Sequence, residues 1–361
     1  MTLLHRTLLL ALCLPAGVAA NAVSEVQIMS APATIYLEQM PDAQHLNFDL
    51  VIDNGSEVAL DIDRIELSVF DRDGALLLQR FADSNGVRPS LDVLGDRSVA
   101  ARTRRSVFNP FPAFAQELDI ALLRIDIELS NGDGSVGITR SLTIKPTVFR
   151  NHVAYVPPLS GRFINYDGHD ALGHHRRFDV EFAPIKAMGF KTNAMRYSYD
   201  FVPVHPDGAM YDGDFADNTA WFGFDQPIRA IGDGTVVALE SAKEDNRQFD
   251  QSRLAEDRML LFGNHVVVDH GGGEFAVYAH ARKGSARVKV GDRVRRDQTI
   301  AAIGASGSAF FPHLHFQLQD GPDLDAEGLP SYFSRFERVL GKRSIQRKRA
   351  SIDTGEIVQA E

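Results

Sequence analysis

Short runs of alternating apolar and polar residues, separated by turn signals, constrain this chain more than any other feature. "ATIYLEQ", "LNFDLVIDN", "ALDIDRIELSVFD", "ALLLQRF", "IALLRIDIELS" and "VGITRSLTIKP" follow one another over residues 33–146. "DNGSE", "DRDG" and "SNGDG" interrupt them. A period of two sets one side of each run against a core and the other towards water, the pattern of half-buried strands. Strands this short and closely spaced predict a β-sandwich, immunoglobulin-like, over residues 21–148. No cluster of reactive side chains falls in it, so a structural or docking module is expected.

The remainder is also β-rich. "IKPTVFRNHVAYVPPLSGRF", with its prolines, marks a linker over residues 149–165. A second domain is expected over 166–338. Within it "PIRAIGDGTVVALE" reads as a hairpin about Asp233-Gly234, and "HVVVDHGGGEFAVYAH" as another about Gly271 to Gly273. "VKVGDRVRRDQTIAAIG" adds two short strands. Residues 203–220 and 241–264 break the rhythm. They are polar, acidic and long, which suits either the walls of a groove or surface insertions. Residues 339–361 are charged and poor in apolar side chains, and predict a solvated tail.

Composition narrows the function. With 361 residues, 44% hydrophobic and 24% charged, the chain is long enough for two domains with cores of their own. A net charge of −10 argues against a nucleic-acid partner, which calls for a basic face. "MTLLHRTLLLALCLPAGVAANA" has a weakly basic start, a short apolar stretch and small residues at Ala19 and Ala20. It reads as a secretory signal peptide over residues 1–20, shorter in its apolar part than the ~20 residues that span a bilayer. Cys13 is the only cysteine and lies in that segment, so the mature chain is expected to have no disulfide and no thiolate chemistry. Any metal must then be held by His, Asp or Glu. A periplasmic or secreted protein of the cell envelope is expected, with no later membrane span.

The histidines are clustered. Beyond the signal segment only His45 and His152 precede residue 169. His174 and His175 open "HHRRFDVEF", His280 closes "VYAH", and His313 and His315 sit in "FPHLHFQL". On a strand, His313, His315, Gln317 and Gln319 share one face while Leu314, Phe316 and Leu318 share the other. A catalytic zinc takes three such protein ligands and leaves one position open. No HExxH helix is present, so ligands from separate strands are expected. Isolated histidines are more often surface or core residues, and His169, His205, His265 and His270 are read that way. Trp221 is read as core, and Tyr278 as a packing residue that could also offer a hydrogen bond near His280.

The ordered string of an upstream His and an Asp, then "VDHGGGEFAVYAH", "VKVGDRV" and "IGASGSAFFPHLHF", resembles the lysostaphin-like, LytM-type zinc endopeptidases over about residues 170–335. The resemblance implies an antiparallel β-sheet peptidase domain following the sandwich. It implies zinc held by a His, an Asp and the second His of "HLH", His315. His280 and His313 would be the catalytic histidines. The family's His-x3-Asp spacing is offered by His175 and Asp179. A second reading takes Asp200, in the alternating "MRYSYDFVPV", and we favour it because that strand precedes "IRAIGDGTVV" in the expected order. His175 is favoured over His174 by its "HRR" context. The implied metal set is thus His175, Asp200 and His315.

The implied activity is a secreted zinc metallo-endopeptidase that hydrolyses peptide bonds by a zinc-activated water with two histidines assisting. Peptidoglycan cross-links are the implied substrate. The rival readings are a non-catalytic module of the same fold that regulates another wall hydrolase, and a metallopeptidase acting on proteins. The N-terminal domain would position the enzyme, bind an envelope partner or cover the groove.

Overall fold

The computed structural model describes residues 25–171 and 173–361. The signal segment expected over residues 1–20 lies outside the described residues. The chain is mainly β. Its one α-helix among the described residues, Ala183–Ala187, has five residues. No described helix is long and apolar enough to cross a membrane.

The alternating N-terminal runs form antiparallel strands. Gly137–Ile144, Leu122–Ser130, Leu60–Phe70 and Leu76–Asp83 make one sheet in that order, with Ser98–Val99 on Leu60–Phe70. Val26–Ala31, Asp49–Asn54 and Thr103–Phe108 make a second. Leu67, Val69, Ile125 and Ile127 of the first share one core with Phe48, Leu50 and Ile52 beside the second. Each such fully buried side chain contributes about 1.5–3 kcal/mol. A smaller sheet joins Thr147–Val148, Tyr36–Gln39, Gln44–Leu46 and Ala113–Phe114.

An 11-stranded sheet dominates the second half. Its path runs Arg293–Val294, Gly234–Glu240, His265–Asp269, Phe275–Ala279, Leu314–Gln319, Tyr199–Pro203, Gly161–Asp167, Ile357–Ala360, Phe336–Leu340 and Arg343–Arg347. Gly328–Leu329 also pairs with Leu314–Gln319. Tyr199, Phe201, Leu314, Phe316 and Leu318 point into one core with Tyr278 and Phe333. The Tyr199 and Phe201 rings stack at 5.0 Å. Their strand neighbours are therefore turned to the opposite face, where the site lies.

Three expectations are corrected. The charged stretch 339–361 is not a free tail: Phe336–Leu340 and Arg343–Arg347 pair with each other, and Ile357–Ala360 pairs with Gly161–Asp167 and Phe336–Leu340. A strand needs only one apolar face, and Ile352, Val358 and Ala360 supply buried contacts here. Arg347 in this stretch, and Arg338 just before it, reach Asp42 at 3.2 and 2.7 Å. The strand Gly161–Asp167 likewise begins inside the stretch expected to be a linker. Finally, "PIRAIGDGTVVALE" is not one hairpin. Pro227–Arg229 pairs with Thr299–Ala302, while Gly234–Glu240 pairs with His265–Asp269. Asp233 is engaged elsewhere: its carbonyl accepts from His270 Nδ1 and its carboxylate from Arg296 N.

Candidate metal centre

Register brings the acids and histidines together. Asp167 pairs with Asp200, Asp200 with His315, and His315 with Ala279, across four adjacent strands. Cross-strand partners share a face, so Asp167, Asp200 and His315 form a polar row opposite the aromatic core. A bulge between Asn165 and Asp167 aims Asp167 into that row. His315 Nδ1 lies 3.0 Å from Asp200 Oδ1, and its Nε2 lies 2.9 Å from Gln317 Oε1.

The other histidines reach the row from loops. His175 presents Nε2 to Asp200 Oδ1 at 3.6 Å and Nδ1 to Asp167 Oδ2 at 2.9 Å. His313 Nε2 is 3.4 Å from Asp200 Oδ1, and its Nδ1 meets the Phe311 carbonyl at 2.8 Å. His280 follows the strand Phe275–Ala279 with φ +59°, in the left-handed region. Such a backbone costs about 1–3 kcal/mol and persists where surroundings over-determine it. Here the His280 N–H donates to the Phe262 carbonyl, and the His280 carbonyl accepts from Gly304 N. Its Nδ1 meets the Ser306 carbonyl at 2.9 Å. The carbonyls fix the Nδ1–H tautomer of His280 and His313, leaving Nε2 of each for the site. Their rings stand 4.8 Å apart.

All six residues are buried. Burial works against the charge of Asp200, but the fields of His175 and His313 and hydrogen bonds from His313 and His315 outweigh it. They hold the carboxyl well below its ordinary range. Burial pulls His175 down, against Asp200 and Asp167. It pulls His280 well down, helped by His313 and His315. His313 also suffers burial, yet Asp200 raises it above its ordinary value. Burial thus favours the neutral form of His280, while His313 is the more easily protonated of the two.

These groups line a cavity of about 390 Å³ with Phe178, Met195, Arg247, Phe249, Leu261, Phe262 and Phe310. Arg247, Phe249, Leu261 and Phe262 come from the 241–264 stretch, which is therefore a wall. The 203–220 stretch is tied to it: Arg247 Nε donates to Asn218 Oδ1, and Arg247 Nη2 to the Phe215 carbonyl, each at 2.9 Å. Trp221 is buried and stacks on Phe311 at 4.7 Å.

Of the sequence candidates, His175, Asp200, His280, His313 and His315 all line the cavity, as does His174. Asp179 does not; its carboxylate accepts from Glu181 N, in a different cleft. Tyr278 lies in the core, where its hydroxyl accepts from Ile231 N at 2.9 Å. The left-handed turn at His280 ends the alternation that would have set the two on one face. Asp167 was missed by sequence reasoning. Both its oxygens accept from His174 N, at 3.0 and 3.1 Å, and Oδ2 lies 2.7 Å from His174 Nδ1. Burial opposes its charge, but His174 and His175 hold the carboxyl far below its ordinary value. Its signal was an acid at the end of the alternating "GRFINYD".

The donor set suits a divalent cation. Ligand atoms of Asp167, His174, His175 and Asp200 lie within 4.8 Å of one another, and His315 Nδ1 lies 3.0 Å from Asp200 Oδ1. Mixed imidazole and carboxylate ligands in this number suit zinc.

Peptidase family M23 matches residues 221–326. The chain is 34% identical over 86 residues to "Murein hydrolase activator EnvC" of Escherichia coli, covering 24% of this chain and 20% of that protein. It is 33% identical over 91 residues to "Peptidoglycan DD-endopeptidase ShyC" of Vibrio cholerae, covering 25% of this chain and 17% of that protein. The chain thus spans about a fifth of the length of these curated relatives. A crystal structure of a zinc containing peptidase from Vibrio cholerae is similar at 16% identity and a TM-score of 0.25, covering 79% of this chain and 80% of that one. The stretch matched by peptidase family M23 includes the Phe275–Ala279 and Leu314–Gln319 strands, which lead into the histidine cavity.

Proposed function

We propose that this protein is a zinc metallo-endopeptidase of the cell envelope that hydrolyses peptide bonds in peptidoglycan cross-links. The observation that carries the reading is the convergence of His175 Nε2, Asp200 Oδ1 and His315 Nδ1, with Nε2 of His280 and His313 left for the cavity. His175, Asp200 and His315 would hold the ion, and a zinc ion, when bound, supplies Lewis-acid polarisation of a carbonyl and acidifies water. His280, kept neutral by burial, accepts a proton at Nε2. His313, raised by Asp200, donates a hydrogen bond at Nε2 to the developing oxyanion. Leu261, Phe262 and Phe310 give the cavity an apolar lining beside them. The leader-like N-terminus supports a periplasmic or secreted location. The strands of residues 21–148 would position the enzyme or meet an envelope partner.

The name of the EnvC relative favours a second reading, a wall-hydrolase activator without catalysis of its own. Zinc content and muropeptide release, measured for wild type and His315→Ala, separate the two. The enzyme reading expects stoichiometric zinc and release of muropeptides by wild type, and loss of both by a folded variant. Retained cleavage by His315→Ala overturns the ligand assignment. Absence of zinc and cleavage in wild type favours the activator.

A further inference from the structure

A cleft of about 510 Å³ lies behind the wall of the histidine cavity, between the strand Thr103–Phe108 and the segment after His175. The segment has two faces. His174, His175 and Phe178 line the cavity, whereas Arg176, Arg177, Asp179 and Glu181 line the cleft. A volume of this size is ordinary for a small-molecule site.

The cleft's charges are unevenly satisfied. Arg105 is held by Asp96 at 2.9 Å, and Arg104 by Asp53 at 3.3 Å. Glu181 is engaged by Lys186 at 2.9 Å and Arg104 at 3.6 Å. The Asp179 carboxylate caps its own turn at Glu181 N. Arg176 differs from these. It is 4% exposed, and its hydrogen bond runs from Nη2 to the Asn109 carbonyl at 3.1 Å. No carboxylate oxygen of the described residues lies within 4.0 Å of it. Asp49, whose field reaches Arg176, is already paired with Arg196 at 2.8 Å. Beside Arg176, Arg177 is exposed, has no carboxylate within 4.0 Å, and lies over the Phe108 ring at 5.1 Å.

A buried cation without a counter-charge is costly, and a guanidinium fork is built for a planar oxyanion. We propose that Arg176 and Arg177 form a carboxylate-binding subsite in this cleft, which takes the free C-terminal carboxylate of a short acyl-peptide. The carboxylate chemistry stands on the geometry, and a peptide C-terminus as its bearer rests on the function proposed above. So does the further identification of the peptide as a neighbouring stem of the wall polymer. Because the segment 174–181 separates cleft from cavity, the peptide bound here is an anchor and not the one being cut.

The test is calorimetric titration of the purified protein with N-acetyl-alanyl-alanine, as the free acid and as the C-terminal amide, in D,D and L,L forms. The free acid is expected to bind, and the amide to bind at least about tenfold more weakly, the size of one charge-assisted hydrogen bond. Arg177→Ala, at an exposed position, is expected to lose about as much, and Arg176→Gln more. Arg176 is buried, so a thermal melt establishes that its variant is folded, and Arg177→Ala carries the test if it is not. Equal binding of acid and amide, no binding of either, or unchanged binding by Arg177→Ala overturns the subsite. A preference for the D,D acid supports the wall stem as ligand. Equal or better binding of the L,L acid leaves the carboxylate subsite standing and overturns its assignment to wall peptide.

Discussion

Asp167 Oδ2 stands 2.9 Å from Nδ1 of His175, and Nε2 of the same ring faces Asp200 at 3.6 Å. The imidazole is gripped between two carboxylates. A ligand histidine whose far nitrogen meets a carboxylate is fixed in tautomer and orientation and made more basic. Asp167→Asn should therefore weaken zinc binding by roughly 10–100-fold without unfolding the protein. Competition against a chromogenic chelator measures it, with a thermal melt as the control. Unchanged zinc affinity would show that Asp167 merely holds the His174 and His175 backbone.

The two aspartates weighed as ligands separate cleanly. Asp200→Asn should lose zinc and wall-cleaving activity, because Asp200 meets His313 and His315. Asp179→Asn should keep both, since Asp179 lines the other cleft. Loss of zinc on changing Asp179 alone would contradict this geometry.

His280 and His315 should fail differently. His280→Ala removes a proton acceptor and is expected to lower kcat by about 10²–10⁴-fold while zinc content stays stoichiometric. His315→Ala should lose zinc as well. Equal zinc loss in both variants would mean that His280 is a ligand.

The last strand introduces a pH dependence of stability. Burial pushes the Glu356 carboxyl from its ordinary 4.5 up to about 7, against Arg338. Between those values the folded protein holds a proton that the unfolded chain has released, so stability falls as pH rises through this window. The contribution is fully present below 4.5 and lost above about 7. Glu356→Gln has no such ionisation. The difference in unfolding free energy between wild type and variant, from denaturant melts across pH 4 to 8, should decline only inside that window. A difference that is flat or increases with pH would contradict the burial of this acid.

Much of this arrangement was legible in residue order. The "HLH" alternation put His315 and Gln317 opposite Leu314 and Phe316, and "SYDF" did the same for Asp200 between Tyr199 and Phe201. What misled was local composition. The charged C-terminal stretch looked solvated because strand insertion needs few apolar residues, and its Arg347 finds a counter-charge at Asp42, far away in sequence. Tyr278 looked like a neighbour of His280 because alternation cannot foresee a left-handed residue at the strand's end.

By itself the sequence determined which side chains exist and which face of each strand they occupy, because a period of two is a local property of the backbone. Only the tertiary structure decided which strands lie side by side, and in what register. That register set Asp167 against Asp200 and Asp200 against His315, while the turn after His175 puts Arg176 on the cleft and not on the histidine cavity. Pairing partners are chosen by burial and hydrogen bonding between residues distant along the chain, so no local pattern could supply them.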